Sequence, residues 1–315
     1  MFYVSIDGKN SIMLELLCGT VQGSILGPIL YAIYVSPVFH VADMSNFADD
    51  NFIISWSESK VLLVNDMETK LEAITKWLKK SGLIVNETKT ELCLFYKKDT
   101  HPVEIQLNGT KLHSKKSINI LGVLFDSKLQ WTDHVALTIK KANGALNAIK
   151  LIKRFFTQTE LIQLLTSNFY SILYYNSEIW HLNNLNVRLK QLLLSASAKA
   201  IKICLRYPDP LLSYIKLHEI VKRATPSQFL LYKHSILLYK LFNRKQPMNE
   251  WCSLNFQQIM TPRQTKFKVA ETNLNKIGKN ILVNRLSVLN DKIPMEWLNL
   301  SLTQYKLKIK SLFLL

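Results

Sequence analysis

Phe47-Ala48-Asp49-Asp50, with Gly19-Thr20-Val21-Gln22-Gly23-Ser24-Ile25-Leu26-Gly27-Pro28 a short way upstream, decides how this chain is read. The acid pair stands between Phe47 and the apolar Phe52-Ile53-Ile54, which predicts two short strands joined at an acidic turn. Adjacent carboxylates at a tight turn repel unless something positive sits between them, and a divalent cation is the usual occupant. Two metal ions held by carboxylates stabilise the attacking and leaving oxygens of phosphoryl transfer. In the upstream phrase Gly19, Gly23 and Gly27 crowd together in a chain with only 9 glycines. Such crowding suits a backbone that must approach a ligand closely. An ordinary loop before a helix would show the same glycines.

The charge distribution points the same way. The chain has 315 residues and a formal charge of +17, from 40 Lys and Arg against 23 Asp and Glu. Residues 1–57 hold one cation, Lys9, and the anions Asp7, Glu15, Asp43, Asp49 and Asp50. All the positive excess therefore lies beyond them. An acidic segment on a basic body suits a protein that holds a polyanion and does chemistry on it. Apolar residues make up 48% of the chain, which excludes a disordered polypeptide. Cys18, Cys93, Cys204 and Cys252 lack zinc-ligand spacing and read as reduced thiols of an intracellular protein. The N-terminus lacks the pattern of a secretion signal. The apolar run from Ile25 to Phe39 is broken by Gly27, Pro28 and Pro37, so no membrane segment is expected.

Along the chain, residues 2–6 and 12–17 read as strands around an Asp7-Gly8-Lys9-Asn10 turn, and Ser24 to Val35 as a helix that tolerates Pro28 in its first turn. Leu63, Met67, Leu71, Ile74 and Leu78 recur at helical spacing within a long helix, Glu58 to Ser81, ended by Gly82. Glu91 to Tyr96 reads as a strand, 105–112 as a hairpin turning at Asn108-Gly109, and Ile118 to Asp126 as one further strand. Beyond residue 130 the pattern is helical: His134 to Phe155, Gln158 to Tyr175, Asn186 to Tyr207, and less regular helices to the end. The fold class expected is α+β followed by all-α.

The two opening phrases together resemble the reverse transcriptases of non-LTR (LINE-type, jockey-like) retrotransposons. Gln22, Gly23, Ser24, Leu26, Gly27 and Pro28 match the family's Gln-Gly-Ser-x-Leu-Gly-Pro, while Thr20 and Val21 replace its usual Val and Pro. Phe47, Asp49 and Asp50 match its aromatic-x-Asp-Asp, with Asn51 where many relatives carry Thr. Asn86-Glu87-Thr88-Lys89-Thr90-Glu91 is similar to its Asn-x-x-Lys-Thr-Glu. Leu121-Gly122-Val123 through Asp126, Leu129 and Trp131 matches its Leu-Gly-Val-x-x-Asp-x-x-Leu-x-Trp. Leu173 to Trp180 resembles Leu-x-Tyr-Gly-x-x-x-Trp, with Asn176 in place of Gly.

The resemblance implies a partial right-hand polymerase palm, an antiparallel sheet with helices, over residues 1–130. It further implies a helical thumb over 131–185 and a helical C-terminal extension over 186–315. Asp49 and Asp50 would hold catalytic Mg²⁺. Gln22, Gly23, Ser24 and Phe47 would face the template and the incoming deoxynucleotide, and Lys89 would act as general acid or phosphate contact. Leu121 and Gly122 would support the primer end. On the bottom-up reading, Lys140, Lys141, Lys150, Lys153 and Arg154 offer cations to a nucleic-acid backbone. The partners implied are an RNA template and a DNA primer.

In the family a first catalytic carboxylate lies on a palm strand well before the glycine loop. The expectation is therefore an N-terminally truncated copy, inactive alone, with Asp7 or Asp43 the first residues to test as substitutes. The competing expectation is a non-catalytic nucleic-acid-binding remnant or a pseudogene product.

Overall fold

A computed structural model describes residues 3–13, 15, 19–20, 23–95, 102–180, 185–206, 209, 211–243, 256–261, 264–269, 289 and 292–313. The chain divides into two compact units. One holds residues 1–94 and 101–115, the other 95–100 and 116–315.

In the first unit a short hairpin, β1 (Ser5–Ile6) and β2 (Lys9–Asn10), precedes helix α1 (Gly27–Val35). The acidic hairpin follows as β3 (Met44–Phe47) and β4 (Asp50–Ile53), then the long helix α2 (Lys60–Lys80). β5 (Leu92–Cys93), β6 (Glu104–Leu107) and β7 (Thr110–Lys115) close the unit. The predicted stripe of α2 does its work at both ends. Leu71, with Val64 and Met67, packs on Ile105 and Leu107 of β6, while Ile74, Trp77 and Leu78 pack on Val35 and Val38. Ile53 of β4 touches both clusters. Glu68 of α2 accepts a hydrogen bond from the Gln106 amide at 2.8 Å, tying the helix to β6. Gly82, at φ +68°, ends α2 as expected.

The expected single antiparallel sheet is corrected. The strands form separate small sheets, β1-β2, β3-β4 and β5-β7-β6, and β5 pairs with β7 in parallel. The strands are two to six residues long, and β3-β4 and β6 pack on α2 instead of joining one sheet. The strand expected over 2–6 shrinks to β1, and β2 falls within the expected turn, at Lys9–Asn10, because the chain reverses tightly at Asp7-Gly8; residues 11–13 and 15 are not strand, and 2, 14, 16 and 17 lie outside the described residues. The strand expected over 91–96 shrinks to β5, and Tyr96 is outside them too, as are Cys18 and Cys252.

The second unit begins with β8 (Ser117–Ile120) and β9 (Val123–Asp126), a hairpin where one strand was expected. The turn is Leu121-Gly122, both left-handed at φ +47° and +82°, a pairing that fits a two-residue hairpin loop. Helix α3 (Thr132–Ile152) then leads to α4 (Gln158–Leu164), a π-helical segment Leu165–Tyr170, α5 (Ser171–Leu173) and α6 (Ser177–Trp180). α7 (Val187–Cys204), α8 (Tyr214–Ile220) and α9 (Pro226–Phe242) follow, and α10 (Leu302–Phe313) ends the described chain. Leu146, Leu161, Phe169, Trp180 and Leu193 form the main core of this unit, and Tyr239, Leu298 and Tyr305 anchor a second one.

The all-helical expectation beyond residue 130 also needs correction. β10 (Phe256–Thr261) pairs antiparallel with β11 (Gln264–Val269). Thr265, Phe267 and Val269 alternate with Gln264, Lys266 and Lys268, a period of two that a helix cannot use.

Two residues join β9 to α3. The Asp126 carboxylate accepts from the amides of Lys128, Gln130 and Trp131 at 3.1, 2.9 and 2.7 Å, bracing a loop in which Leu129 and Trp131 both have positive φ. His134, 3% exposed, accepts from the Leu124 amide at 3.1 Å and stands edge-on to Trp180. Burial, then the Lys141 charge, lower its pKa from 6.5 to about 4.

Asp126→Ala strips three amides of their acceptor and is expected to cost about 2–4 kcal/mol in urea unfolding. His134 supplies a second expectation. From pH 6.5 down to 4 the unfolded chain binds a proton that the folded chain refuses, so stability falls with pH, by at most about 3 kcal/mol across that window. Melting curves at pH 7 and 5 should show a larger drop for the parent than for His134→Gln; equal drops would remove His134 as the cause.

Candidate metal and nucleotide site

The acidic hairpin is made by Asn46-Phe47-Ala48-Asp49-Asp50-Asn51. Phe47 pairs with Asp50 and Asn46 with Asn51, which leaves Ala48 and Asp49 as the turn. Ala48 has φ +54°, a conformation that costs about 1 kcal/mol for a residue with a Cβ. Such strain persists where neighbours over-determine it. Here the neighbours are two asparagines. Asn46 Nδ2 donates to the Ala48 carbonyl at 2.8 Å and to Asn51 Oδ1 at 2.9 Å, and Asn51 Nδ2 donates to the Asp49 carbonyl at 3.2 Å. The turn's carbonyls are tied back, while both carboxylates stay exposed and Phe47 is 63% exposed. Sequence reasoning missed Asn46. Its signal was an amide facing Asn51 across the acid pair.

The glycine phrase has a different geometry. The Ser24 hydroxyl accepts from the Gly27 amide, the first of α1, at 3.0 Å. A Cβ on Gly27 would come within 2.6 Å of Ser24 Oγ and 3.1 Å of Thr20 Oγ1, so the loop lies directly on the helix start. Gly23 is left-handed at φ +86°, with open space around it. Gln22 lies outside the described residues. Tyr31, the next turn along α1, packs in one cluster with Met44 and Ile53 of the hairpin, and burial, then the Asp49 charge, raise its pKa above 10.

Two exposed carboxylates on neighbouring residues supply hard oxygen donors of the kind Mg²⁺ takes, so the donors present fit one side of a divalent ion. Among the described residues, no third acid, histidine or cysteine, Asp7 and Asp43 included, gathers with them. Lys89 is exposed on a turn organised by Asn86, whose side-chain oxygen accepts from the Lys89 amide at 3.2 Å and the Thr88 hydroxyl at 2.8 Å. Glu87 and Glu91 of the same phrase bond Thr110 and Lys115 of β7. No hydrogen bond or ion pair joins the Lys89 side chain to the acidic turn among the described residues.

In the second unit the Leu121-Gly122 turn is held by Tyr175. Its hydroxyl donates to the Leu121 carbonyl at 3.1 Å, and its ring would meet a Gly122 Cβ at 3.1 Å. Trp180, fully buried, donates to the Tyr175 carbonyl at 2.9 Å. Asn176, which stands in place of the Gly of the resembling motif, is left-handed at φ +45°, a region asparagine tolerates. Of the five cations expected on nucleic acid, Lys140, Lys141, Lys150 and Arg154 are exposed and Lys153 is half-buried. At about 100° per residue, Lys140 stands about 80° around α3 from Lys150 and about 100° from Lys141, on the other side, so the three form no single stripe. The Lys141 charge helps to lower the pKa of His134, and burial raises that of Cys204 against the Arg223 and Lys153 charges.

Residues 1–125 match the family described as reverse transcriptase (RNA-dependent DNA polymerase). The chain is 27% identical over 144 residues to the RNA-directed DNA polymerase from mobile element jockey of Drosophila melanogaster, covering 42% of this chain and 16% of that protein. It is 27% identical over 171 residues to the probable RNA-directed DNA polymerase from transposon BS, covering 50% and 19%, and 23% identical over 124 residues to that of transposon X-element, covering 37% and 14%, both of the same fly. The chain thus spans less than a fifth of the length of these relatives. No solved structure matches. Among the described residues no helix is long and apolar enough to cross a membrane. Residues 1–125 are a reverse transcriptase domain, distantly homologous to those of the jockey, BS and X-element non-LTR retrotransposons.

Proposed function

We propose that this chain contributes the acidic turn and the glycine loop of an RNA-directed DNA polymerase that extends a DNA primer on an RNA template. The observation that carries this reading is the pair Asp49 and Asp50, exposed at a braced hairpin tip alongside α1, inside the segment that matches the family. Asp49 and Asp50 would hold Mg²⁺, which when bound offsets charge on the attacking and leaving oxygens. Gly23, Ser24, Phe47 and the undescribed Gln22 would face the template base and the deoxynucleotide. Lys89 would neutralise phosphate or donate a proton to pyrophosphate. Leu121 and Gly122 would support the primer, with Lys140, Lys141, Lys150, Lys153 and Arg154 on its backbone. Residues 1–130, 131–185 and 186–315 would correspond to palm, thumb and extension. A second reading, binding without catalysis, is favoured by the incomplete donor set among the described residues.

Two measurements bear on this reading. Mn²⁺ titration should show weak binding that Asp49→Ala abolishes, and Asn46→Ala should weaken it severalfold by freeing the Ala48 carbonyl; metal binding indifferent to Asp49 would overturn the site. Primer extension on an RNA template with Mg²⁺ is expected to give no product from these 315 residues alone, because two acids on one turn do not clamp both ions. Product that Asp49→Ala abolishes would show that another ligand completes the set.

A further inference from the structure

A cavity of about 630 Å³ lies within the second unit, walled by the π-helical segment, α9 and α10. Lys222, Arg223, Lys233 and Lys310 line it, with Tyr170 and Tyr174. Lys233 is paired with Glu178 at 3.1 Å. Lys222, Arg223 and Lys310 have no acidic partner among the described residues, which leaves a concentrated positive field.

The cations sit on a rigid frame. Arg223 lies 4.2 Å above the Tyr170 ring and donates to Thr166 Oγ1 at 2.8 Å, so its fork is fixed with donors to spare. Tyr170 is held in turn, its hydroxyl 2.9 Å from Ser197 Oγ, which lies 2.8 Å from His218 Nε2, whose Nδ1 is 2.7 Å from the Tyr214 carbonyl. Tyr174, 6% exposed, has a buried hydroxyl with no hydrogen-bond partner among the described residues.

Backbone conformation adds an independent sign. α8 ends in a Schellman motif, with the Arg223 amide bonded to the His218 carbonyl at 2.8 Å and the Lys222 amide to that of Glu219 at 2.9 Å. The same motif ends α2, with Leu83 bonded to Leu78 and Gly82 to Lys79, and there the left-handed position is glycine. At α8 it is Lys222, at φ +50°. A lysine is an unfavourable choice for that backbone, and its side chain lines the cavity. Asn176, also left-handed, lines it as well, as do Thr166 and Tyr170 of the π-helical segment, a type of distortion common at functional sites.

We propose that this cavity is a phosphate-binding site in which Lys222, Arg223 and Lys310 hold a phosphate group, borne by a nucleic-acid strand or by a free nucleotide or pyrophosphate. It is separate from the Asp49 site, so neither proposal depends on the other.

Lys222→Gly tests it, since glycine suits the backbone there while the cation is lost. The full chain is titrated at low salt with a fluorescent single-stranded oligothymidylate and, separately, with inorganic pyrophosphate. Lys306→Gln, an exposed charge on α10 that does not line the cavity, is the control. Lys222→Gly should melt no lower than the parent yet bind at least one probe about tenfold more weakly, and Arg223→Gln likewise, while Lys306→Gln changes affinity less than twofold. Loss for both probes, with pyrophosphate displacing the strand, assigns the site to free phosphates as well as strands. Loss for the oligonucleotide alone assigns it to the strand. Affinities of Lys222→Gly and Lys306→Gln that agree within error for both probes would overturn the proposal.

Discussion

The burial of Leu71 and Ile74 on α2 is what the reverse transcriptase segment rests on. Its sheets have two or three strands, and pairs of that size are marginal in water unless a helix or further strands back them. α2 does this for two groups at once, backing β6 with one half and the α1 and β3-β4 region with the other. Each fully buried aliphatic side chain contributes about 1.5–3 kcal/mol, enough to offset the ordering of a short hairpin. The acidic tip is therefore positioned by apolar contacts on the far side of its strands.

That tip carries two unfavourable features, like charges on neighbouring residues and an alanine in left-handed conformation. Neither helps the fold. The Asn46–Asn51 pair offsets the second by occupying both turn carbonyls, and exposure to water moderates the first. On the proposed function, the two outward-facing carboxylates would take a cation. The relatives, named as RNA-directed DNA polymerases, share this segment.

Several motif residues turn out to act as joints. Asp126 braces the loop into α3, Tyr175 grips the Leu121-Gly122 turn, and Trp180 fixes Tyr175 from within the core. Motifs separated by some fifty residues, such as Tyr175 and Leu121 with |i−j| of 54, are thus one structural unit. Gly122 has a packing reason, since any Cβ there would meet the Tyr175 ring.

The sequence by itself determined the local elements whose signals are local. The acidic turn follows from Phe47 to Asp50, the Asn108-Gly109 hairpin from its left-handed pair, α2 from a stripe of spacing three and four, and its end from Gly82. Within 118–126 Leu121 gives no warning of its positive φ, so the turn between the strands is hidden, and across 256–269 the alternation is clear in one strand only. What only the tertiary structure decided concerns contacts between distant residues: the division into small sheets, the bracing of Ala48 by Asn46, and the gathering of Lys222, Arg223 and Lys310 around Tyr174. Periodicity and turn chemistry are written within a few residues, whereas a cavity depends on which faces meet after the chain has packed, and no window of sequence contains that.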